Sequence, residues 1–139
     1  MARASATQPA PLRAAPSRYT LGPMTEEPTD ADLAARYADR LRRELAEIVD
    51  ASTATRDNRR PVELDQQSVG RLSRMDALQG QAMAAAQEAR RHGRARALDA
   101  ALARIAAGEF GWCDDCGAFI GWRRLDLDPT LMRCVDCAG

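Results

Sequence analysis

Apolar positions recur at helical spacing over most of this chain. From Ala31 onward, Leu33, Tyr37, Leu41, Leu45, Ile48 and Val49 fall on one face, with Arg and Glu on the other. Asp30 reads as the N-cap of this first helix, which runs to about Arg56, a rod of roughly 40 Å at ~1.5 Å per residue. The stretch Asp57-Asn-Arg-Arg-Pro-Val-Glu ends it, because Asp, Asn and Pro form turns and the residue before Pro61 is pushed out of the α region. A second helix begins between Leu64 and Ser73 and continues to Ala107, with Gly108 as its C-terminal cap. Its apolar stripe reads Leu72, Met75, Leu78, Ala82, Ala86 and Ala89, continued by Leu98, Leu102 and Ile105. Ala-rich facing positions predict that the two helices pack closely as an antiparallel pair. Gly70, Gly80 and Gly93 each cost about 1 kcal/mol of helix propensity and mark candidate kinks. The expected fold class is mainly α: an antiparallel two-helix coiled-coil hairpin over 30–107, with its tip near 57–76, followed over 108–139, where the paired cysteines Cys113/Cys116 and Cys134/Cys137 stand, by a small C4 zinc finger.

Composition narrows the picture. The 139 residues carry 20 basic and 20 acidic side chains, so there is no global basic field of the kind that accompanies nucleic-acid binding. Every basic residue is Arg, and the six aromatics supply little large-residue core, which favours an elongated, Ala-packed helical object over a globule. Residues 1–29 read as a disordered leader: its first 23 residues hold Arg3, Arg13 and Arg18, four prolines and no acid. Met24, followed by Thr25-Glu-Glu, is an expected alternative start. The leader has no apolar run long enough for a signal h-region or a membrane span, and a cytoplasmic protein is expected. The single histidine, His92, lies in an Arg-rich segment remote in sequence from the cysteines and reads as a solvated helix residue. No nucleophile-base pairing is present, and the scattered glycines match neither GxGxxG nor GxxxxGK[ST], so no enzymatic activity is expected.

Chemistry concentrates at the C-terminal end, where Cys113, Cys116, Cys134 and Cys137 form two CxxC knuckles separated by seventeen residues. Each knuckle converges two sulfurs on one point, and a short hairpin brings the second pair round to close a tetrahedron. Two disulfides or a redox pair are the competing readings; paired knuckles with no other cysteine favour metal. Four sulfurs leave no open position for substrate or water, so one structural Zn2+ is expected, with metal-binding free energy of roughly 10 kcal/mol or more supporting a segment too short to fold on apolar burial alone. Phe110, Trp112, Phe119 and Trp122 surround the first knuckle and read as its mini-core.

The run from Arg104 through Gly108-Glu-Phe-Gly-Trp-Cys-Asp-Asp-Cys to Trp122-Arg-Arg-Leu, then Asp128-Pro and Cys134-Val-Asp-Cys137, resembles the DksA/TraR family of C4-type zinc-finger regulators of bacterial RNA polymerase. The stretch from Gly70 to Gln79 is similar to the coiled-coil helix of its short members. The resemblance implies a transcription regulator that binds RNA polymerase directly, inserting a hairpin into the secondary channel without reading DNA sequence. Acidic residues at the hairpin tip would then act on the active-site region by field and hydrogen bonding. Longer members carry an Asp-x-x-Asp-x-Ala tip. Aligning on Pro61 places Arg60, Glu63 and Asp65 at the three motif positions, whereas counting back from the cysteines brings Asp76-Ala77 close to an Asp-x-Ala part. The tip candidates are therefore Glu63, Asp65, Asp76 and Ala77. Members that respond to ppGpp have basic residues where this chain has Asp128 and Ala138, and the chain stops two residues after Cys137, which argues against ppGpp as a ligand. The competing reading is a zinc-ribbon module that binds nucleic acid or another protein through Arg123, Arg124 and Arg133.

Overall fold

The computed structural model describes residues 27–61 and 70–139. Most of the leader, Met24, Glu63 and Asp65 lie outside the described residues. Within them the order is α1 (Asp30–Ala54), a 3-10 turn (Asp57–Arg59), α2 (Arg71–Ala107), α3 (Trp122–Leu127) and α4 (Val135–Ala138). No strand occurs among the described residues; one antiparallel bridge pairs Trp112 with Phe119.

The N-cap of α1 is Thr29 and not Asp30. Thr29 Oγ1 accepts from the Asp32 backbone N–H at 3.2 Å, and the Asp32 carboxylate accepts from the Thr29 N–H at 3.1 Å, a reciprocal capping box. A Thr followed three residues later by a carboxylate is the stronger start signal, because both groups satisfy otherwise orphaned donors. At the other end of the hairpin, α2 closes on Gly108 in the left-handed region (φ 72), with the Glu109 N–H returning to the Arg104 carbonyl at 2.9 Å. Between its ends α2 is continuous through Gly80 and Gly93, so neither glycine breaks it. A propensity deficit of about 1 kcal/mol is small beside the backbone ladder and packing that flank each position.

The buried stripe of α2 differs from the one read from its sequence. Leu72, Met75 and Leu78 are exposed, Leu72 at 79%, as are Ala82, Ala86 and Ala89. The buried and half-buried positions instead include Arg74, Ala77, Gln81, Ala84, Glu88, Arg91, Ala95, Leu98, Leu102 and Ile105, an alternation of three and four residues joined from Gly93 onward by Arg94, Ala97, Ala101 and Arg104 beside it. The expected stripe holds from Leu98 onward and fails before it, where the half-buried and buried positions mix alanine with Arg, Gln and Glu and the larger apolar residues lie beside them. α1 also ends beside the Glu88–Arg91 turn, so the first part of α2 extends beyond α1 by roughly 20 Å.

The hairpin core consequently changes character along its length. Near the finger it is apolar: Leu33, Tyr37, Leu41, Leu98 and Ala101 are buried together. Toward the tip, Glu88, only 8% exposed, accepts from Arg59 at 3.0 Å and Arg91 at 3.1 Å, and both guanidiniums also donate to Thr55 Oγ1 at 2.9 Å. Burial alone would push the Glu88 carboxyl up, but Arg91, Ser52 and Arg59 outweigh it and hold it below its usual range. This cluster ties the 3-10 turn to α2.

Candidate metal centre and its docking

The four cysteines converge. Their sulfurs all lie within 4.8 Å of one another, with Cys116 Sγ and Cys134 Sγ 3.6 Å apart. A tetrahedron with Zn–S of about 2.3 Å has edges of about 3.8 Å, so the cluster fits a zinc ion. All four thiols are free, and the disulfide reading is not realised.

Backbone geometry aims the sulfurs inward. The Gly117 N–H donates to the Cys113 carbonyl at 2.9 Å and the Cys113 N–H to the Ala118 carbonyl at 2.8 Å, closing the first knuckle. Across the site, the Asp114 N–H reaches the Met132 carbonyl at 2.9 Å, stitching the two knuckles, while Cys134 caps the short α4 that carries Cys137. The N–H groups of Cys134 and Cys116 lower the Cys113 thiol to about 6, whereas the crowding thiols of Cys134 and Cys116 push Cys137 up to about 12. Four sulfurs this close cannot all ionise without a cation, and Zn2+ supplies the charge that makes four thiolates stable together.

The finger is not built around its own aromatics alone. Phe110 is buried, but its ring lies 5.5 Å from that of Tyr37, and Tyr37 also stacks on Trp122 at 6.3 Å. The expected mini-core is thus part of a shared core in which Leu33, Tyr37, Leu41 and Leu98 of the hairpin meet Phe110, Ile120, Leu125, Cys113 and Cys134 of the finger. Gly111 shows how close the approach is: at φ 86, an added Cβ would lie 3.1 Å from a Leu33 methyl. Tyr37 of the α1 stripe is thus also part of the finger's core, a partnership that spacing along the chain does not signal.

Three polar joints fasten the same interface. Asp126 accepts from Arg36 Nη2 at 2.8 Å and from the Tyr37 hydroxyl at 2.7 Å, while Arg40 donates to the Asp126 carbonyl at 2.8 Å. Arg36 and Tyr37 hold the Asp126 carboxyl below its usual range. Arg94 joins Glu44 at 2.6 Å, Asp128 at 2.9 Å and Thr130 Oγ1 at 3.0 Å, spanning α1, α2 and the finger. Arg104 donates to the Trp112 carbonyl at 2.7 Å and to Asp114 at 2.9 Å.

Other sequence candidates are dispersed. Asp76 is exposed and Ala77 half-buried on the first turns of α2, remote in the fold from the metal centre. His92 is exposed, yet its Nε2 lies 3.2 Å from Glu88 Oε1. Of the arginines proposed as a basic face, Arg133 pairs with Asp115 at 3.1 Å and Arg124 Nε donates to the Arg133 carbonyl at 3.2 Å.

Comparison with known proteins agrees with this architecture. Residues 108–139 match the family described as prokaryotic dksA/traR C4-type zinc finger. The RNA polymerase-binding transcription factor DksA of Haemophilus influenzae is 45% identical over 40 residues, which are 29% of this chain and 28% of that protein. The protein of the same name from Escherichia coli is 40% identical over 40 residues, 29% of this chain and 26% of that one. The matched segment thus spans about a quarter of the length of these relatives. Over the longer range, the structure of transcription factor DksA2 from Pseudomonas aeruginosa superposes with a TM-score of 0.59 at 24% identity, covering 78% of this chain and 79% of that one. Residues 108–139 are thus a C4 finger of the dksA/traR type, with four cysteines arranged for one structural zinc ion, seated on a helical hairpin that shares the DksA2 fold.

Proposed function

We propose that this protein regulates transcription by binding bacterial RNA polymerase directly, its hairpin entering the secondary channel while the zinc finger stays at the channel's mouth, without enzymatic activity and without reading DNA sequence. The observation that carries this reading is the finger itself, whose relatives are named RNA polymerase-binding transcription factors. The shape supports it. A finger fastened by Asp126, Arg94 and Arg104 to one end of the hairpin gives a rigid body whose far end projects α2 well past α1. Asp76 and Ala77 lie on that projection, and we assign Asp76, with Glu63 and Asp65 of the connecting segment, to the tip that acts on the polymerase active-site region. A cytoplasmic location follows from the partner, and no helix among the described residues is long and apolar enough to cross a membrane.

The reading also accounts for Asp128. Its carboxylate is engaged by Arg94 and by the Thr130 N–H, an internal joint in place of a cation that would attract ppGpp. A basic nucleic-acid face on the finger is disfavoured because Arg124 and Arg133 are already engaged within it. Co-purification of the full chain with core polymerase tests the proposal, together with open-complex lifetimes for Asp76→Asn. Binding within a few-fold of the parent, a difference of about 1 kcal/mol, with most of the effect on lifetime lost, is the expected result. Failure to associate with polymerase at any salt concentration refutes it.

A further inference from the structure

The polar end of the hairpin surrounds a cavity of about 290 Å³ between α1, the 3-10 turn and α2. Arg56, Arg59, Arg91 and His92 line it against a single carboxylate, Glu88, so the three guanidiniums alone leave a surplus of positive charge. Among the described residues, Arg59 and Arg91 are held in place through one nitrogen each, since the Nη1 of both donates to Glu88 Oε2 and Thr55 Oγ1. A guanidinium has five N–H donors, so the remaining edge of each keeps its capacity for an acceptor. Arg56, exposed at the cavity, makes no ion pair among the described residues.

We propose that this cavity binds the phosphoryl group of a small free ligand, a phosphate ester or diphosphate. Planar N–H forks match tetrahedral oxyanions two oxygens at a time, which a point charge does not. Glu88 fixes two of the forks before any ligand arrives, so little side-chain freedom is lost on binding. The same carboxylate selects for multiply charged ligands. A singly charged acid gains little net attraction once Glu88 repels it, whereas a phosphoryl group with two or more charges can engage all three guanidiniums. The site lies on the hairpin shaft, away from Asp128 and Ala138 of the finger, and does not depend on the polymerase reading.

The test is calorimetric titration of the full, zinc-loaded chain with inorganic pyrophosphate at low salt, paired with amide chemical-shift mapping. Saturable one-site binding is expected, with shifts concentrated in residues 48–59 and 88–95. Arg56→Gln is expected to weaken binding about tenfold, the scale of one charge-assisted contact. Arg96→Gln, which removes the same charge from an exposed position that does not line the cavity, is expected to bind like the parent. Equal losses in the two variants would reduce the effect to net charge and overturn the site. Shifts centred elsewhere, or an absence of saturable heat, would also overturn it. If a short oligonucleotide perturbs the cavity residues and pyrophosphate does not, the free-ligand proposal fails in favour of a nucleic-acid backbone.

Discussion

Tyr37 is where hairpin and finger depend on one another, and replacing it measures that dependence. Its side chain is 1% exposed, with Phe110 and Trp122 against the ring and Asp126 accepting from the hydroxyl. An aromatic of this size buries roughly 200 Å², worth about 5 kcal/mol at ~25 cal/mol/Å², and aromatic-to-Ala substitutions in cores cost about 3–5 kcal/mol. Since ring and hydroxyl both make finger contacts, we assign about half of that loss, roughly 2–3 kcal/mol, to docking of the finger. Tenfold per 1.4 kcal/mol converts this to an undocked population raised by roughly 30- to 140-fold. Tyr37→Ala should therefore accelerate zinc transfer to a colorimetric chelator by a comparable factor, while far-ultraviolet circular dichroism shows most of the helix retained. Tyr37→Phe keeps the ring and loses only the hydroxyl bond; Asp126 keeps Arg36 and stays accessible to water, so the cost should be about 1 kcal/mol. Zinc transfer from Tyr37→Ala at the parental rate would show that the finger is autonomous and refute the shared core.

Cys113→Ser or Cys137→Ser should abolish stoichiometric zinc, read by elemental analysis against one ion per parent chain, and expose the Phe110 and Trp122 environment to fluorescence quenchers. Alkaline stability should reflect Tyr37, whose hydroxyl is raised from 10.0 to about 12 by burial and by Asp126. Because folding favours the protonated form, its contribution is complete below pH 10 and is lost as pH rises toward 12, a loss absent in Tyr37→Phe denaturation curves. On the acid side Asp126, Asp128 and Glu88 are all held below their usual range, so their contribution is present above the ordinary carboxylate pKa and disappears as pH falls through the lowered values. Gly80→Ala and Gly93→Ala should each add roughly 0.5–1 kcal/mol of stability, read as a raised urea midpoint, since an added Cβ meets nothing within 4 Å at either site; a lowered midpoint would show that a kink is needed there.

Local chemistry was legible in the sequence. The CxxC spacing alone sufficed for a four-thiolate centre, because knuckle geometry is set by bonds within a few residues of each sulfur. Gly108 announced the end of α2 because a left-handed cap strongly favours glycine, and helical periodicity delivered the seam wherever it was apolar, at Leu33, Tyr37, Leu41, Leu98, Leu102 and Ile105. Tertiary structure decided the rest. On the first half of α2 hydrophobicity pointed to Leu72, Met75 and Leu78, yet the half-buried or buried positions are Arg74, Ala77, Gln81, Ala84 and Glu88. They continue the three-four alternation backward from Leu98, a register that hydrophobicity alone does not mark. Nor could spacing reveal that Tyr37 completes the finger's core or that Arg94 joins Glu44 to Asp128, for those pairs are 73 or more residues apart in the first case and 50 and 34 in the second. Such contacts exist only once α2 has folded back along α1 and delivered the zinc finger to the place where the chain's first helix begins.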